Sequence, residues 1–359
     1  MSGKTIFITG GAGYVGEMLC DQFAKRADVA KVITIDKEPQ SEFSKAIPKL
    51  TYIQMNLADR GWQADVFAHA PDTVIHTAWQ IRAMYGDSAT QWKWNVEGSQ
   101  AVFDFALLTP SVATLIYFST ASSYAARPDN SLTHYFTEAE GFRSDDYIYA
   151  HEKKVAEENL KRTYDELAVT GKDLPRVVVV RPAAITGPRG RYMRIRFGLQ
   201  SALQGNLKGG FVNRVVTSLT SFVPATQSWV RQFIHEDDVS DIVQHFTFHE
   251  APSPYEVYNI TPTSEPVLAV DMAKAVDKRI LPIAPWMARV AFFCFWHLTR
   301  GKVPTCPGSW RFYSYPVLMS GEKLATQYQC QYTSKDAFQY TTGRYEQFVP
   351  ESMRRSLTK

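Results

Sequence analysis

Short apolar runs alternate with amphipathic stretches through the first half of this chain. Runs rich in Val, Ile, Phe and Tyr are predicted to be buried strands at Thr5–Thr9, Val32–Ile35, Tyr52–Met55, Thr73–His76, Thr114–Ser119 and Arg176–Arg181. Helical spacing is found between them at Gly16–Arg26, Asn95–Leu108 and Tyr147–Val169. Because continuously apolar strands that alternate with helices must be covered on both faces, the pattern predicts an α/β fold with a doubly wound parallel sheet.

The pattern changes after the last of these strands. Residues 182–231 are rich in Pro, Gly and Arg without clean alternation, strand and helix patterns return in 232–248 and 258–260, and short helices with Pro-rich joints follow. A length of 359 residues also suits about two domains. We therefore expect a sheet domain of residues 1–182 and 232–262, and a smaller mixed α/β region of residues 183–231 and 263–359.

Composition excludes several classes of protein. The net charge of +3 is too small for nucleic acid or an anionic membrane to be the main partner. The four cysteines are scattered and form no Cys-x-x-Cys pair, so neither a disulfide framework nor a metal site is expected. No apolar run approaches the ~18 residues of a membrane span, and Gly3 precedes any signal-peptide core. We expect a cytoplasmic protein.

A glycine-rich turn lies where the first predicted strand passes into the first helix. Gly10, Gly13 and Gly16 follow the spacing Gly-x-x-Gly-x-x-Gly. In this pattern the first glycine permits a tight turn, the second lets a pyrophosphate approach the backbone, and the third lets helix and strand pack closely. The N–H groups and the positive dipole end of the helix N-terminus then suit phosphate. The turn predicts a dinucleotide site.

An acidic residue ends the second strand. Asp36 stands 20 residues after Gly16, where a carboxylate can accept hydrogen bonds from an adenosine ribose. It would repel a 2′-phosphate and so favours NAD over NADP, although the neighbouring cation of Lys37 could recruit that phosphate. The sequence favours NAD as the cofactor.

Two further segments carry candidate chemistry. Thr120 follows the fifth strand, and Tyr149 and Lys153 begin a long helix at a four-residue spacing that puts both side chains on one face. An ammonium beside a phenol lowers the pKa of the phenol, so Tyr149 could exchange a proton with a secondary alcohol while a hydride moves to or from nicotinamide. The Thr120 hydroxyl would hold the substrate oxygen. His151 and Glu152 are predicted to point off this face into solvent.

Together these motifs resemble an extended short-chain dehydrogenase/reductase of the NAD-dependent epimerase/dehydratase family, over nearly the whole chain. Four more motifs support the resemblance: Val74–Ala78, Asn95–Gly98, Arg181–Pro188 and Gln232–Val239. It implies that Tyr149 is the general acid/base, that Lys153 binds the nicotinamide ribose and tunes Tyr149, and that Thr120 is their hydroxyl partner. It also implies that residues 235–238 cap and begin a helix.

The resemblance further implies which residues bind NAD and how the chain assembles. The cofactor contacts come from the glycine turn, the acid of the second strand, a segment near adenine, the loop after the fourth strand, the Tyr–Lys pair and a segment over the nicotinamide. They are Gly10, Gly13, Tyr14, Val15, Gly16, Asp36, Asn56, Leu57, His76, Thr77, Ala78, Asn95, Tyr149, Lys153, Pro182 and Ala184. Most relatives carry aspartate in place of Asn56. Because relatives commonly pair through the Tyr–Lys helix and the helix after Asn95, a homodimer is expected.

Several residues near the catalytic set are expected to contact the substrate. They are Trp79, Gln80, Ser122, Arg191 and Arg231. Nucleotide-sugar relatives place a diphosphate-binding arginine at the position of Arg231. The cluster Arg189, Arg191, Arg194 and Arg196 is either a second phosphate-binding group or a solvated face.

A strongly apolar and aromatic stretch lies in the C-terminal region. Ile283–Leu298 is too short and too interrupted to span a bilayer. It could be a helix buried in the smaller domain, line a pocket for a lipid-like or polycyclic substrate, or lie against a membrane surface as a peripheral contact.

Three functions stay open. The first is an NAD-dependent oxidoreductase that transfers a hydride between nicotinamide and a secondary alcohol or ketone, with a hydrophobic small-molecule substrate. The second is a nucleotide-sugar 4-epimerase with tightly held NAD. The third is a non-catalytic NAD-sensing or scaffolding protein, which would not need Tyr149. Sugar 4,6-dehydration is disfavoured, because Ala121 and Ser122 replace the Asp–Glu pair that follows the threonine in those relatives.

Overall fold

A seven-stranded parallel sheet forms the centre of the protein. The structure is a computed structural model that describes residues 3–143, 146–190, 222–275, 278–339 and 342–348. Its strands are β1 (Lys4–Thr9), β2 (Val29–Asp36), β3 (Leu50–Gln54), β4 (Thr73–His76), β5 (Thr114–Phe118), β6 (Arg176–Pro182), β7 (Ala184–Thr186), β8 (Phe222–Ala225), β9 (Val230–Arg231), β10 (Phe233–His235), β11 (Tyr255–Ile260), β12 (Val267–Leu268) and β13 (Arg279–Pro282). The central sheet has the order β3-β2-β1-β4-β5-β6-β11, and every neighbouring pair is parallel.

Helices follow most of the central strands. They are α1 (Tyr14–Ala24), α2 (Glu42–Lys45), α3 (Trp62–Phe67), α4 (Ser88–Trp92), α5 (Gly98–Leu108), α6 (Ile148–Ala168), α7 (Glu236–Phe248), α8 (Ala269–Ala275), α9 (Pro285–Leu298), α10 (Ser309–Ser314), α11 (Glu322–Ala325) and α12 (Ser334–Gln339). A π-helical turn at Lys93–Glu97 joins α4 to α5, and 3-10 turns lie at Ala121–Tyr124 and Glu346–Phe348. The six predicted strands are all present, which confirms the doubly wound α/β class.

Both faces of the sheet are buried. Along β1 the side chains of Ile6 and Ile8 enter one core, which α1 and α7 cover, whereas Phe7 enters the other. That second core is covered by α3, α5 and α6 through side chains such as Trp62 and Leu160. Because alternate residues of a strand point to opposite faces, each strand must be apolar throughout, and this is the pattern that the sequence carries.

Small strand pairs extend the structure beyond the central sheet. β10 pairs with β7 and β13 with β8 in parallel, and β12 pairs with β9 in antiparallel fashion. A third apolar core, which includes Trp229, Val267, Met272 and Phe338, packs among these pairs, α8 and α12. A separate core fits the predicted smaller region, although the exact division into two domains stays a prediction.

The helix of the apolar C-terminal stretch is largely exposed. Only Ala288 and Trp296 of α9 are buried, and Trp286, Val290 and Phe293 are 66%, 53% and 64% exposed. The interpretation of this stretch as a buried helix is therefore wrong, since its apolar residues are distributed around the helix and one face alone meets the protein. No helix in the described ranges is long and apolar enough to cross a bilayer.

A buried ion pair fastens α6 to the sheet. Arg181 on β6 and Glu157 on α6 meet at 2.6 Å with side chains 7% and 5% exposed. The guanidinium also donates to the hydroxyl of Tyr124 at 2.7 Å, and that hydroxyl donates to Asn259 Oδ1 at 2.8 Å. Removing one partner of such a pair leaves an uncompensated charge in a dry environment, which costs far more free energy than the pair contributes.

We expect Glu157→Ala to lower the free energy of unfolding by about 3–5 kcal/mol, because Arg181 would stay buried without its counterion. The exposed pair Lys161–Asp165 lies one turn further along α6 and provides the control. Asp165→Ala should change the free energy of unfolding by no more than about 1 kcal/mol. Chemical denaturation of the three proteins measures both values, and equal losses in the two variants would contradict the expectation.

Candidate functional site

The glycine turn forms a cradle at the carboxyl end of β1. Gly10 has a φ of +82°, in the left-handed region, and a Cβ there would lie 2.8 Å from the Cα of Ala78. A Cβ on Gly16 would overlap the carbonyl oxygen of Gly10. Gly13 caps α1 without any side-chain hydrogen bond. The turn thus needs glycine for its shape, and it leaves the N-terminus of α1 accessible to an anion.

Asp36 lies beside this cradle at the end of β2. Its Oδ2 accepts a hydrogen bond from the Ala12 N–H and its Oδ1 one from the Glu38 N–H, both at 3.0 Å. The ammonium of Lys37 pairs with the Glu38 carboxylate and lies 4.9 Å from the centre of the Trp94 ring. The charge of Lys37 is therefore offset by its neighbours, which weakens the case that it recruits a 2′-phosphate.

A cavity of about 270 Å³, the first cavity, runs from the glycine turn past the end of β2 to the loop after β4. It brings together eleven of the sixteen residues predicted to bind cofactor. These are Gly10, Gly13, Tyr14, Val15, Gly16, Asp36, Asn56, Leu57, Thr77, Ala78 and Asn95. Residues separated by up to 85 positions in sequence thus line one elongated space.

The same cavity includes residues that the sequence analysis placed elsewhere or missed. Trp79 and Gln80, expected to contact the substrate, line the first cavity, and Ile35, Met55 and Trp94 line it as well. The alternation within β2 could have indicated Ile35. No local sequence pattern could have indicated that Trp94 lines the cavity. It does so from the π-helical turn before α5, which the sequence did not predict.

His76 stands behind the first cavity rather than in its wall. It is 1% exposed, and its ring nitrogens lie 2.7 Å from Thr9 Oγ1 and 2.8 Å from Ser99 Oγ. Burial lowers the pKa of His76 well below its ordinary value, and the nearby charge of Lys153 lowers that pKa further. A neutral imidazole therefore bridges the two hydroxyls. Thr9 Oγ1 in turn accepts from the N–H groups of Thr77 and Ala78 at 3.2 Å, which fixes the loop after β4.

A second cavity, of about 310 Å³, adjoins the first at Ile81, which lines both. Six of the predicted residues lie in its wall: Thr120, Ser122, Tyr149, Pro182, Ala184 and Arg231. Most other wall residues are apolar or aromatic, among them Ile81, Tyr147, Phe312, Tyr315, Val317 and Met319, and Gln232 is a polar exception. The ring of Trp79 meets that of Tyr149 edge to face at 6.5 Å between centres, at the junction of the two cavities.

Thr120 is oriented by the backbone that follows it. Its Oγ1 accepts from the Ser122 N–H at 3.1 Å and so caps the 3-10 turn Ala121–Tyr124. No acceptor for the Thr120 hydroxyl proton is found among the residues that the structure describes. The capped hydroxyl can therefore donate to an oxygen that enters the second cavity.

Lys153 is buried between the sheet and the loop after β4. Its Nζ donates to the carbonyl of Phe118 and lies 3.7 Å from the centre of the Trp79 ring. Burial lowers the pKa of Lys153 well below its ordinary value, while the carboxylates of Glu157 and Glu152 act in the opposite direction. The cation is thus held in a dry position one helical turn after Tyr149.

Glu152 is fully buried, so its predicted exposure is wrong, whereas His151 is exposed as predicted. The Glu152 Oε2 accepts from Asn95 Nδ2 at 2.7 Å and from Gln91 Nε2 at 3.0 Å. Asn95 Oδ1 in turn accepts from the Gln80 N–H at 2.7 Å. Burial raises the pKa of Glu152, against the effect of these hydrogen bonds. The carboxylate faces α4 and the π-helical turn, a contact that helical spacing alone does not reveal.

Of the four arginines in the predicted cluster, the structure describes only Arg189. Arg191, Arg194 and Arg196 lie outside the described residues. Arg189 is only 8% exposed at its side chain, pairs with Glu17 and donates to the carbonyl of Tyr14 at 2.8 Å, so it is a structural ion pair beneath α1. Arg231 is the one arginine of the cluster and its surroundings that lines a described cavity.

At the start of α7, the acidic segment has the helix-capping role that the resemblance implied. His235 Nδ1 accepts from the Asp237 N–H at 3.1 Å and caps the helix, whose first turn carries Glu236, Asp237 and Asp238. Within the described ranges no cluster of His, Cys, Asp and Glu could hold a metal ion.

The first cavity fits a dinucleotide. A side chain in the glycine turn would fill the cradle, the end of α1 presents backbone N–H groups, and a carboxylate stands at the end of the neighbouring strand. In parallel sheets, ligands bind at the carboxyl ends of strands where the strand order reverses, here between β1 and β4.

Comparisons with known proteins agree with this fold. A bacterial enzyme, WbmG of Bordetella bronchiseptica, solved in complex with NAD and UDP, superposes with a TM-score of 0.65 at 20% identity, covering 93% of this chain and 91% of that one. A dTDP-glucose 4,6-dehydratase from Bacillus anthracis in complex with NAD has a TM-score of 0.65 at 17% identity, with 96% of each chain covered. A UDP-glucose 4-epimerase from Thermotoga maritima, with UDP-glucose, also reaches 0.65 at 17% identity, over 94% of this chain and 97% of that one.

One curated relative matches in sequence. The uncharacterized protein y4nG of Sinorhizobium fredii is 25% identical over 239 residues, which cover 66% of this chain. The match spans about half of that relative, 52% of its length.

The family assignment comes from a match over most of the chain. The sequence model of the NAD dependent epimerase/dehydratase family matches residues 6–261, which contain the glycine turn, β1 from its third residue and the six other strands of the central sheet. The chain therefore belongs to the NAD dependent epimerase/dehydratase family.

Proposed function

We propose that the protein is an NAD-dependent oxidoreductase that interconverts a secondary alcohol and a ketone. The observation that carries the proposal is that Tyr149 and Thr120 line one cavity, which adjoins the glycine-turn cavity at Ile81. Lys153 lies one helical turn beyond Tyr149 on the same helix. Hydride transfer requires the cofactor and the substrate carbon to be in contact. The two cavities join at Ile81, so this contact would be made there.

The residues of the first cavity would hold NAD. The backbone of the turn from Gly10 to Gly16 would receive the pyrophosphate, and the Asp36 carboxylate would accept hydrogen bonds from the adenosine ribose. Asn56 and Leu57 would contact adenine, and Asn95, Pro182 and Ala184 would face the nicotinamide end. NAD, when bound, supplies the nicotinamide ring that accepts or donates the hydride.

The protein's own groups would handle the proton. In the oxidising direction Tyr149 Oη takes the hydroxyl proton as the carbon–oxygen double bond forms, and in the reducing direction it returns that proton. Thr120 Oγ1 donates a hydrogen bond to the same substrate oxygen. The desolvated Lys153 cation favours the phenolate form of Tyr149, because opposite charges interact more strongly where water is excluded.

The wall of the second cavity favours a largely apolar substrate. Ile81, Phe312, Val317 and Met319 present hydrocarbon, and Arg231 is the only cation among its described wall residues. Apolar walls with a few placed polar groups are typical of sites for hydrophobic small molecules.

Arg231 supports the second candidate, a nucleotide-sugar 4-epimerase. A guanidinium in the cavity wall could bind a diphosphate, and burial lowers the pKa of Arg231, which indicates that its charge lacks full solvation. Such an enzyme would transfer the hydride twice and end with its NAD unchanged.

Turnover of the cofactor separates these two candidates. A panel of nucleotide-diphosphate sugars, hydroxysteroids and long-chain 3-ketones or alcohols is incubated with NAD or NADH, and the absorbance of the reduced nicotinamide is followed. We expect net change with a hydroxysteroid or long-chain substrate. Conversion of a nucleotide sugar without net absorbance change would instead establish the epimerase, and Arg231→Met should then raise the KM for the sugar about tenfold or more.

Replacing the phenol tests the proposed acid/base. We expect Tyr149→Phe to lower kcat by about 10²–10⁴-fold, since the proton has no acceptor, while the Kd for NAD stays within a factor of about three. Tyr147→Phe is the matched control, because Tyr147 lines the same cavity two residues earlier and should keep most of the activity. Full turnover in Tyr149→Phe would contradict the proposal, and absence of turnover in every protein would favour the sensing or scaffolding function.

Replacing the acid of β2 tests the cofactor assignment. We expect Asp36→Asn to weaken NAD binding about tenfold or more, because a charge-assisted acceptor for the ribose is lost. Asp59→Asn, an exposed carboxylate outside the first cavity, should leave the Kd unchanged. Isothermal titration with NAD and NADP measures both effects, and tighter binding of NADP than of NAD by the unaltered protein would overturn the choice of cofactor.

A further inference from the structure

The exposed side of α9 carries several large apolar side chains. Trp286, Val290 and Phe293 follow the spacing i, i+4, i+7 and so share one face of the helix. Met287 and Leu298, 41% and 82% exposed, lie about 100–120° around the helix from Trp286 and broaden this face. Isolated apolar residues on a surface are ordinary, whereas a contiguous apolar patch marks a binding surface. We call these five residues the α9 face.

The opposite side of α9 is fixed to the protein. Trp296 is buried, and its ring packs against that of Tyr85 at 5.3 Å between centres. Phe292 packs against Tyr313 of α10 at 5.7 Å. The inner side therefore sets the orientation of the helix, and the α9 face is left largely exposed, although Val290 and Phe293 also line a cavity beside the helix.

The sequence segment around α9 carries only cations, although Asp146, from before α6, pairs with Arg311 of α10. Between Asp277 and Glu322 the sequence contains no acidic residue but six Lys and Arg residues, whereas the whole chain, with 36 Asp and Glu, is only at +3. Arg289, Arg300 and Lys302 are exposed, and among the described residues no carboxylate lies within ion-pairing distance of them. The α9 face is thus flanked by three exposed cations, at Arg289, Arg300 and Lys302.

This combination matches an anionic lipid surface. An interfacial helix places aromatic and aliphatic side chains among the acyl chains and headgroups, while Lys and Arg at its flanks interact with anionic headgroups. A second copy of the chain fits less well, because an isologous contact through this face would bring the same cations together.

We propose that the α9 face docks on a membrane that carries anionic lipid, with the helix lying along the surface. This inference does not depend on the reaction proposed above. It would bring the second cavity close to the bilayer, because α10 packs on α9 and contributes Phe312 to that cavity. A further cavity of about 380 Å³ lies between α9 and α10, and Val290 and Phe293 of the α9 face line it together with Arg289, Phe292 and Trp310.

Vesicle binding by the full chain tests the proposal. Co-sedimentation is measured with phosphatidylcholine vesicles and with vesicles that also contain about 30% phosphatidylglycerol, at low and high salt. We expect binding to the anionic vesicles to be at least about tenfold stronger and to fall as salt rises. Equal binding to both vesicles, or to neither, would overturn the proposal.

Paired variants locate the contact. Val290→Asp with Phe293→Asp should reduce binding to anionic vesicles about tenfold or more, and so should Arg289→Glu with Lys302→Glu. The matched controls are Phe67→Asp with Val169→Asp, at positions 57% and 86% exposed elsewhere, and Lys172→Glu. The controls should bind like the unaltered protein, and thermal unfolding of all variants verifies that each is folded.

Two results would contradict the assignment of the α9 face. One is vesicle binding that survives both paired α9 variants in folded protein. The other is a concentration-dependent dimer in analytical ultracentrifugation that Val290→Asp with Phe293→Asp dissociates, since the face would then be covered by a second copy of the chain.

Discussion

The candidate site depends on how α6 is held against the sheet. Two interactions fasten this helix: the buried pair of Glu157 with Arg181 on β6, and the hydrogen bond from Lys153 to the Phe118 carbonyl on β5. Both place a charge in a dry environment, where Glu157 and the Tyr124 hydroxyl satisfy Arg181 and the Phe118 carbonyl satisfies Lys153. Charges in such places tolerate little displacement, because the interaction weakens with distance while the cost of desolvation remains. The position of Tyr149 is therefore fixed, because the helix that carries it cannot shift without weakening these two interactions.

Much of the fold was predictable because its constraints are local. A parallel strand covered on both faces must be apolar along its length, which appears in the sequence as a continuous apolar run. A turn such as that at Gly10 requires a left-handed conformation, which appears as a glycine. Most residues of the first cavity were carried over from the family resemblance, whereas the glycine turn and Asp36 follow directly from the ends of β1 and β2. Parallel strands end at one edge of the sheet, and the spacing along the chain is enough to find them.

The failures have a different origin. Glu152 is buried because α4 and the π-helical turn cover it, and α9 is exposed because nothing in the described ranges covers its outer side. The burial of Glu152 and the exposure of α9 both depend on which element packs against the helix. Helical periodicity does not predict that. The expectation that Trp79 and Gln80 contact the substrate stays a prediction; both line the first cavity, where Asn95 bonds the backbone of Gln80 and sets the course of the loop.

The arrangement of α6 also restricts how such a chain can change in length. Tyr149, Glu152, Lys153 and Glu157 each contact a different part of the protein, yet all are carried by the first three turns of one helix. Inserting or deleting one residue among them would rotate every later side chain by about 100° around the helix axis, turning the proton-handling phenol, the cation and the two carboxylates out of phase with their partners. Insertions and deletions in descendants of this sequence must therefore accumulate in the connecting loops. The number of residues between positions 149 and 157 has to stay constant.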